Sequence, residues 1–140
     1  MPGYSGTPLP KKLGIKVGFR VQLANAPADV RGELREALAE CELVKQEPRS
    51  ALDFVMLFTK SRAELIREFA RMSKSLSPSG MLWVSWPKKS SGVATDLDGN
   101  IVRQVGLDAG LVDVKVCAVT DVWSGLKFVR RLKDRKANGA

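Results

Sequence analysis

The chain has 140 residues, 44% of them apolar and 27% charged, which is the size and make-up of one globular domain. It contains no histidine, which removes Ser-His and Cys-His nucleophile pairs, histidine general bases and nearly every zinc site. The net charge is +8, from 23 basic and 15 acidic side chains, and it sits at the ends: residues 1–20 carry Lys11, Lys12, Lys16 and Arg20 with no acid, and residues 127–140 carry six bases against Asp134.

Residues 1–12, rich in proline and glycine, are expected to form an irregular arm. A single Rossmann-like domain over 13–133 and a basic, disordered tail over 134–140 complete the expected organisation. Phe19 to Ala24 reads as a first strand that stops at Asn25-Ala26-Pro27. A helix follows, with Asn25 or Asp29 as candidate caps, because Val30, Leu34, Ala37, Leu38 and Cys41 share one stripe of a 3.6-residue period. The segment from Cys41 to Gln46 is a short strand or an irregular stretch, and its direction stays open: six residues to Leu52 are few for a parallel crossover. Leu52 to Phe58 is a near-continuous apolar run, the pattern of a strand covered on both faces.

Ser61 and Glu64 form a capping-box spacing ahead of Leu65, Ile66, Phe69, Met72 and Leu76, one helical face that Ser77-Pro78-Ser79-Gly80 is expected to end. Met81 to Trp86 is the next strand, placing Trp83 and Trp86 on opposite sheet faces. Thr95 or Asp96 is the expected cap of a third helix with Leu97, Ile101, Val102 and Val105 inward, stopped by Gly106 or Gly110. Val112 to Val119 alternates like a half-exposed strand, and Leu126 to Leu132 closes an antiparallel hairpin. The order predicts an α/β fold: a three-layer, Rossmann-like, mostly parallel sheet ending in a C-terminal antiparallel hairpin.

LGIKVGFRVQL with its turn and helix resembles the opening of class I S-adenosylmethionine-dependent methyltransferases. LDFVMLF, the helix after it and LSPSGMLWVSW resemble the fourth and fifth strands of that fold, and VGLDAGLVDVKV with LKFVRRL resembles its last helix and final hairpin. GYSGTPL and WPKKSSGVATD make nearly the whole chain similar to a family of small bacterial proteins known only as a domain of unknown function. The first resemblance implies a methyltransferase-like fold, with S-adenosylmethionine as the corresponding cofactor and Glu47 at the spacing of a ribose contact. The glycine-rich turn that would approach this cofactor is absent, since Ala24-Asn25-Ala26-Pro27 holds no glycine and proline lacks an N–H.

Ligands of open α/β sheets sit beyond the carboxyl ends of the strands. Those ends offer Asn25, then Lys60, Ser61 and Arg62, then Trp86, Lys88, Lys89, Ser90, Ser91 and Gly92. Gathered on one rim, these cations and a helix N-terminus would hold a phosphate-bearing or otherwise anionic small molecule; Trp86 could stack on a base, with core packing the favoured role for it and Trp83. The alternative is that the lysines solvate a loop and Ser61 only caps its helix. Asp96 is a candidate base or metal ligand, with a helix-cap role favoured. Lys127, Arg130, Arg131, Lys133, Arg135 and Lys136 form a candidate nucleic-acid surface. The expected activity is a noncatalytic module binding an anionic ligand or a protein partner; the alternatives are methyl transfer and nucleic-acid binding.

Cys41 and Cys117 match no metal spacing and read as buried thiols of a reducing cytoplasm. The longest apolar run, Phe54 to Phe58, is too short to span a membrane, and no apolar signal core opens the chain, so neither membrane association nor secretion is expected.

Overall fold

The computed structural model describes residues 7–45 and 51–138. Six strands, β1 (Arg20–Ala24), β2 (Glu42–Leu43), β3 (Leu52–Phe58), β4 (Leu76–Pro87), β5 (Leu111–Ala118) and β6 (Trp123–Arg130), form one sheet in the order β2-β1-β3-β4-β6-β5. The first four are parallel, and β6 alone runs antiparallel to its neighbours β4 and β5. The direction left open by the sequence is thereby settled: the short segment after the first helix is a two-residue parallel edge strand, Glu42–Leu43, alongside β1.

Helices α1 (Leu9–Leu13) and α2 (Ala28–Leu38) cover one face, and α3 (Arg62–Lys74) and α4 (Gly99–Asp108) cover the other. Alternation along the central strands divides the core between them. Phe54, Met56, Phe58 and Trp83 pack with Leu13, Val30 and Leu34, while Val55, Leu57, Val84 and Phe128 pack with Leu65, Phe69 and Val102. Both layers explain why Leu52 to Phe58 carries so few polar residues. Trp83 is fully buried and its indole Nε1 donates to the Leu13 carbonyl at 2.9 Å, which fastens α1 to the sheet. On the opposite face the rings of Phe69 and Phe128 meet edge to face, centroids 5.1 Å apart.

Several expectations are corrected. Leu9–Leu13, all but its last residue within the expected irregular arm, is helical with Leu9 and Leu13 buried, and Leu132–Asn138, largely within the expected disordered tail, forms α5. Asn25 and Asp29 are not the N-cap of α2; that position is Pro27, which makes no side-chain cap. The cap of α4 is Asp98, accepting from the Ile101 N–H at 2.8 Å, rather than Thr95 or Asp96. Ser77-Pro78-Ser79-Gly80 does not end α3, which stops at Lys74, but lies inside β4. There the register jumps from Leu52↔Leu76 to Phe54↔Met81, so the four residues bulge against Asp53 alone, a place where a proline without an N–H is tolerated. Along β5 a register shift between Asp113 and Lys115 interrupts the alternation and leaves Val114 and Val116 exposed at the edge of the sheet. Cys41 and Cys117 are free and half-buried, and burial pushes both thiols up. Among the described residues no helix is long and apolar enough to cross a membrane.

Candidate functional site at the carboxyl end of the sheet

The chain leaves β1 toward β2 on one side and later returns to place β3 on the other, so the β1–β3 boundary is the topological switch point where an open sheet forms its crevice. Asn25 ends β1 with φ +61°, a left-handed conformation in which asparagine is among the few tolerated side chains. Its Nδ2 donates to the Phe58 carbonyl at 3.1 Å, joining the two strand ends. The turn after β1 thus bends without glycine, while Pro27 removes one donor from the start of α2 and the Asp29 carboxylate accepts from the Val30 N–H at 2.9 Å.

After β3, Thr59, Lys60 and Ser61 lead into α3. The Ser61 hydroxyl accepts from the Glu64 N–H at 3.1 Å, the first half of the capping box read from the sequence. The other half departs from that motif, because the Glu64 carboxylate accepts a short hydrogen bond from the Thr59 hydroxyl. Asp96 supplies the second anion of this helix start, accepting from the Arg62 N–H at 2.7 Å. Asp96 therefore caps a helix, but α3 and not α4. Thr95 Oγ1 donates to the Lys60 carbonyl at 2.7 Å and fixes the loop before α4 against this turn.

An open groove of about 660 Å³ lies at this corner, lined by Asn25, Thr59, Lys60, Ser61, Glu64 and Arg67, with Trp123 as an aromatic wall backed by the buried Phe58. Those two rings meet edge to face with centroids 5.2 Å apart. Of the residues expected to share one rim, Asn25, Lys60 and Ser61 come together here. Arg62 does not join them, since its side chain lines a separate groove of about 490 Å³ between α3 and α4, beside Asn100 and Gln104. Lys88, Lys89, Ser90, Ser91 and Gly92 also lie outside the lining of the switch-point groove. They form a 3₁₀ turn whose Lys88 N–H donates to Val122 and whose Ser91 hydroxyl donates to Lys88, with Gly92 at φ +75°. Trp86 is only 8% exposed and packs in the core beneath α4, so its ring is not available for stacking. Glu47 lies outside the described residues.

Arg67 is a lining residue outside the expected site, and Trp123, expected to be partly exposed beside the hairpin turn, joins it. Arg67 follows Lys60 and Glu64 at helical spacing, a signal that was present, whereas Trp123 reaches the groove only because β6 pairs with β4, setting Trp123 against Pro87. The basic C-terminal residues do not share one surface. Arg130 is turned inward, donating through its Nη2 to the carbonyls of Ser73 and Leu76 at 2.6 and 2.8 Å. Lys127 is half-buried in β6, and Arg131 and Lys133 are exposed; Arg135 Nε donates to the Arg130 carbonyl, and the side chain of Lys136 lies outside the described residues. Among the described residues no three metal-ligating side chains cluster.

Comparison with solved structures supports the fold. A magnesium protoporphyrin IX methyltransferase from Synechocystis superposes with a TM-score of 0.58 at 12% identity, over 87% of this chain and 78% of that one. A TehB-like S-adenosylmethionine-dependent methyltransferase from Corynebacterium glutamicum gives 0.54 at 9%, over 92% and 90%. An O-methyltransferase from neocarzinostatin biosynthesis gives 0.61 at 9%, covering 80% of this chain and about half (49%) of that one. At these identities the likeness extends to the fold alone. No curated protein matches the sequence. The family described as "Protein of unknown function (DUF3052)" matches residues 10–132, and the chain belongs to it.

Proposed function

We propose that the protein is a binding module whose switch-point groove takes a phosphate-bearing small molecule. The observation that carries this reading is the convergence of Lys60 and Arg67 with the Ser61 and Thr59 hydroxyls and the Asn25 amide around one groove walled by Trp123. Ammonium and guanidinium groups supply charge for a phosphate, and the indole edge offers apolar surface to an attached ring. A noncatalytic role is favoured because the carboxylates nearest the groove are already engaged: Glu64 by Thr59, and Asp96 by the Arg62 N–H. Neither is poised as a free general base.

A second reading, binding of S-adenosylmethionine, is favoured by one local feature: Asn25 takes a left-handed φ in the turn where the related fold uses glycine. Pro27 and Asp29 at the start of α2 argue against it, since one removes a donor and the other occupies one.

Titration calorimetry with nucleoside mono-, di- and triphosphates, S-adenosylmethionine and S-adenosylhomocysteine separates the readings. We expect heat with a phosphate-bearing compound, weakened about tenfold or more by Lys60→Ala with Arg67→Ala, on the scale of one to two charge-assisted hydrogen bonds. Binding confined to the two methyl-transfer compounds would replace the first reading with the second, and silence across the panel would remove both.

A further inference from the structure

A second concentration of positive charge lies on the sheet face that carries α1, away from the strand ends. Register sets Lys115 of β5 directly opposite Lys127 of β6, and Lys127 in turn opposite Trp83 of β4, so these side chains share the face on which Trp83 is covered by α1. Lys115 Nζ donates to the Lys12 carbonyl of α1 at 2.8 Å, and Lys12 Nζ donates to the Ala118 carbonyl of β5 at 3.0 Å, so the two lysines tie α1 to β5. Arg135 is held at the end of β6, its Nε donating to the Arg130 carbonyl at 2.9 Å, and its charge and that of Lys16 act on Lys127. Like charges directly opposite each other weaken a ladder, yet here the fold gathers them.

Lys127 is the focus. It is half-buried and makes no hydrogen bond or ion pair with another described residue. Burial, then the charges of Lys115, Arg135 and Lys16, hold its ammonium below the ordinary lysine range. All three of those charges are positive. A half-buried cation ringed by cations is a cost of folding that a bound anion removes.

We infer that Lys115, Lys127 and Arg135 form a site for a single phosphate group, separate from the switch-point groove. A tetrahedral anion suits ammonium groups arriving from two strands and a guanidinium arriving from α5. An extended nucleic-acid backbone does not, because the stripe is broken: Arg130, the next base along β6, reaches the carbonyls of Ser73 and Leu76 at the end of α3, on the opposite face of the sheet. The group is either free inorganic phosphate or the phosphate of a small monoester.

The test is thermal melting of the intact chain at constant ionic strength with sodium chloride, inorganic phosphate, phenyl phosphate or a short DNA duplex. At about ten times its dissociation constant, phosphate is expected to raise the midpoint by about 4 °C. A response to phenyl phosphate but not to inorganic phosphate assigns the site to monoesters. Lys127→Met is expected to abolish the rise and to melt no lower than the parent without phosphate, because it removes a repelled charge. If that variant misfolds, Lys115→Met takes its place, with loss of the ³¹P line broadening of phosphate as the expected result. Lys60→Ala leaves this response intact, which distinguishes it from binding in the groove. Chloride and phosphate acting alike, a phosphate response that survives both variants, or binding of DNA alone would overturn the assignment.

Discussion

Gly106 lies inside α4, where an alanine would ordinarily stabilise the helix by about 1 kcal/mol. Here a Cβ would stand 2.0 Å from Phe128 Cε1 and 2.5 and 2.6 Å from Cδ1 and Cζ. Carbon atoms pack at roughly 3.5–4.0 Å, so ring and helix must separate by about 1.5 Å. Phe128 has little room to yield, being fully buried and set edge to face against Phe69. Overpacking of this kind costs about 1–3 kcal/mol, and a clash with a fixed ring belongs at the upper end. After the helix gain is subtracted, Gly106→Ala is expected to destabilise by about 1–2 kcal/mol, measured from the urea midpoint at constant m. In a Phe128→Leu background the same change should cost clearly less, a coupling that a double-mutant cycle isolates. Stabilisation of about 1 kcal/mol by Gly106→Ala in the parent chain would refute the packing of α4 on β6.

Four further outcomes are expected. Ser85 Oγ is fully buried without a hydrogen-bond partner, so Ser85→Ala should stabilise by about 1 kcal/mol in the same urea assay. Asp96→Ala removes the carboxylate at the first turn of α3 and should lower stability by about 1 kcal/mol, most visibly as faster amide exchange at Arg62. Trp83→Phe leaves the Leu13 carbonyl without its donor and a gap beneath α1, costing about 2–3 kcal/mol by chemical denaturation. The Arg71 hydrogen bond, with smaller help from the Arg71 and Arg67 charges, outweighs burial and holds the Glu68 carboxyl below its ordinary value. Its stabilisation is therefore present above the unfolded carboxyl range and is lost as pH falls through the lowered folded value. Glu68→Gln should remove about 0.5 kcal/mol at neutral pH and nothing at the acid end of a pH series of melts.

The parallel core was legible because the physics that builds it is periodic. Leu52 to Phe58 and Met81 to Trp86 carry one polar residue each, Asp53 and Ser85, since helices cover both faces, and the stripe through Leu65, Phe69 and Met72 needed no knowledge of its partners. What failed was mostly local chemistry with two uses. Pro78 and Gly80 can stop a helix or fill a bulge, and only the pairing of β4 with β3 decides between them. Asp96 could cap the helix ahead of it or one behind it, and the contact 34 residues away chose α3. Of the two glycines that could stop α4, Gly110 takes the left-handed turn, while Gly106 makes room for Phe128.

The site was half legible for the same reason. Asn25, Lys60 and Ser61 fall at strand ends that the order of elements already locates, so they meet. Arg62 is one residue later, and a rotation of about 100° per helical residue carries it from the switch-point groove to the one facing α4. Trp123 arrives from a strand whose register no local pattern specifies. Lys127 and Arg130 look like one basic run in sequence, yet Arg130 reaches back to the end of α3 while Lys127 lies among the cations beside α1.

Backbone amide mapping by ¹H–¹⁵N NMR during titration with a nucleotide addresses the groove most directly. The account predicts saturable shifts at Asn25, Thr59, Lys60, Ser61 and the Trp123 indole, with Lys88 to Gly92 unaffected. Unmoved amides at Asn25 and Thr59–Ser61, or shifts centred on Lys88 to Gly92, would contradict it.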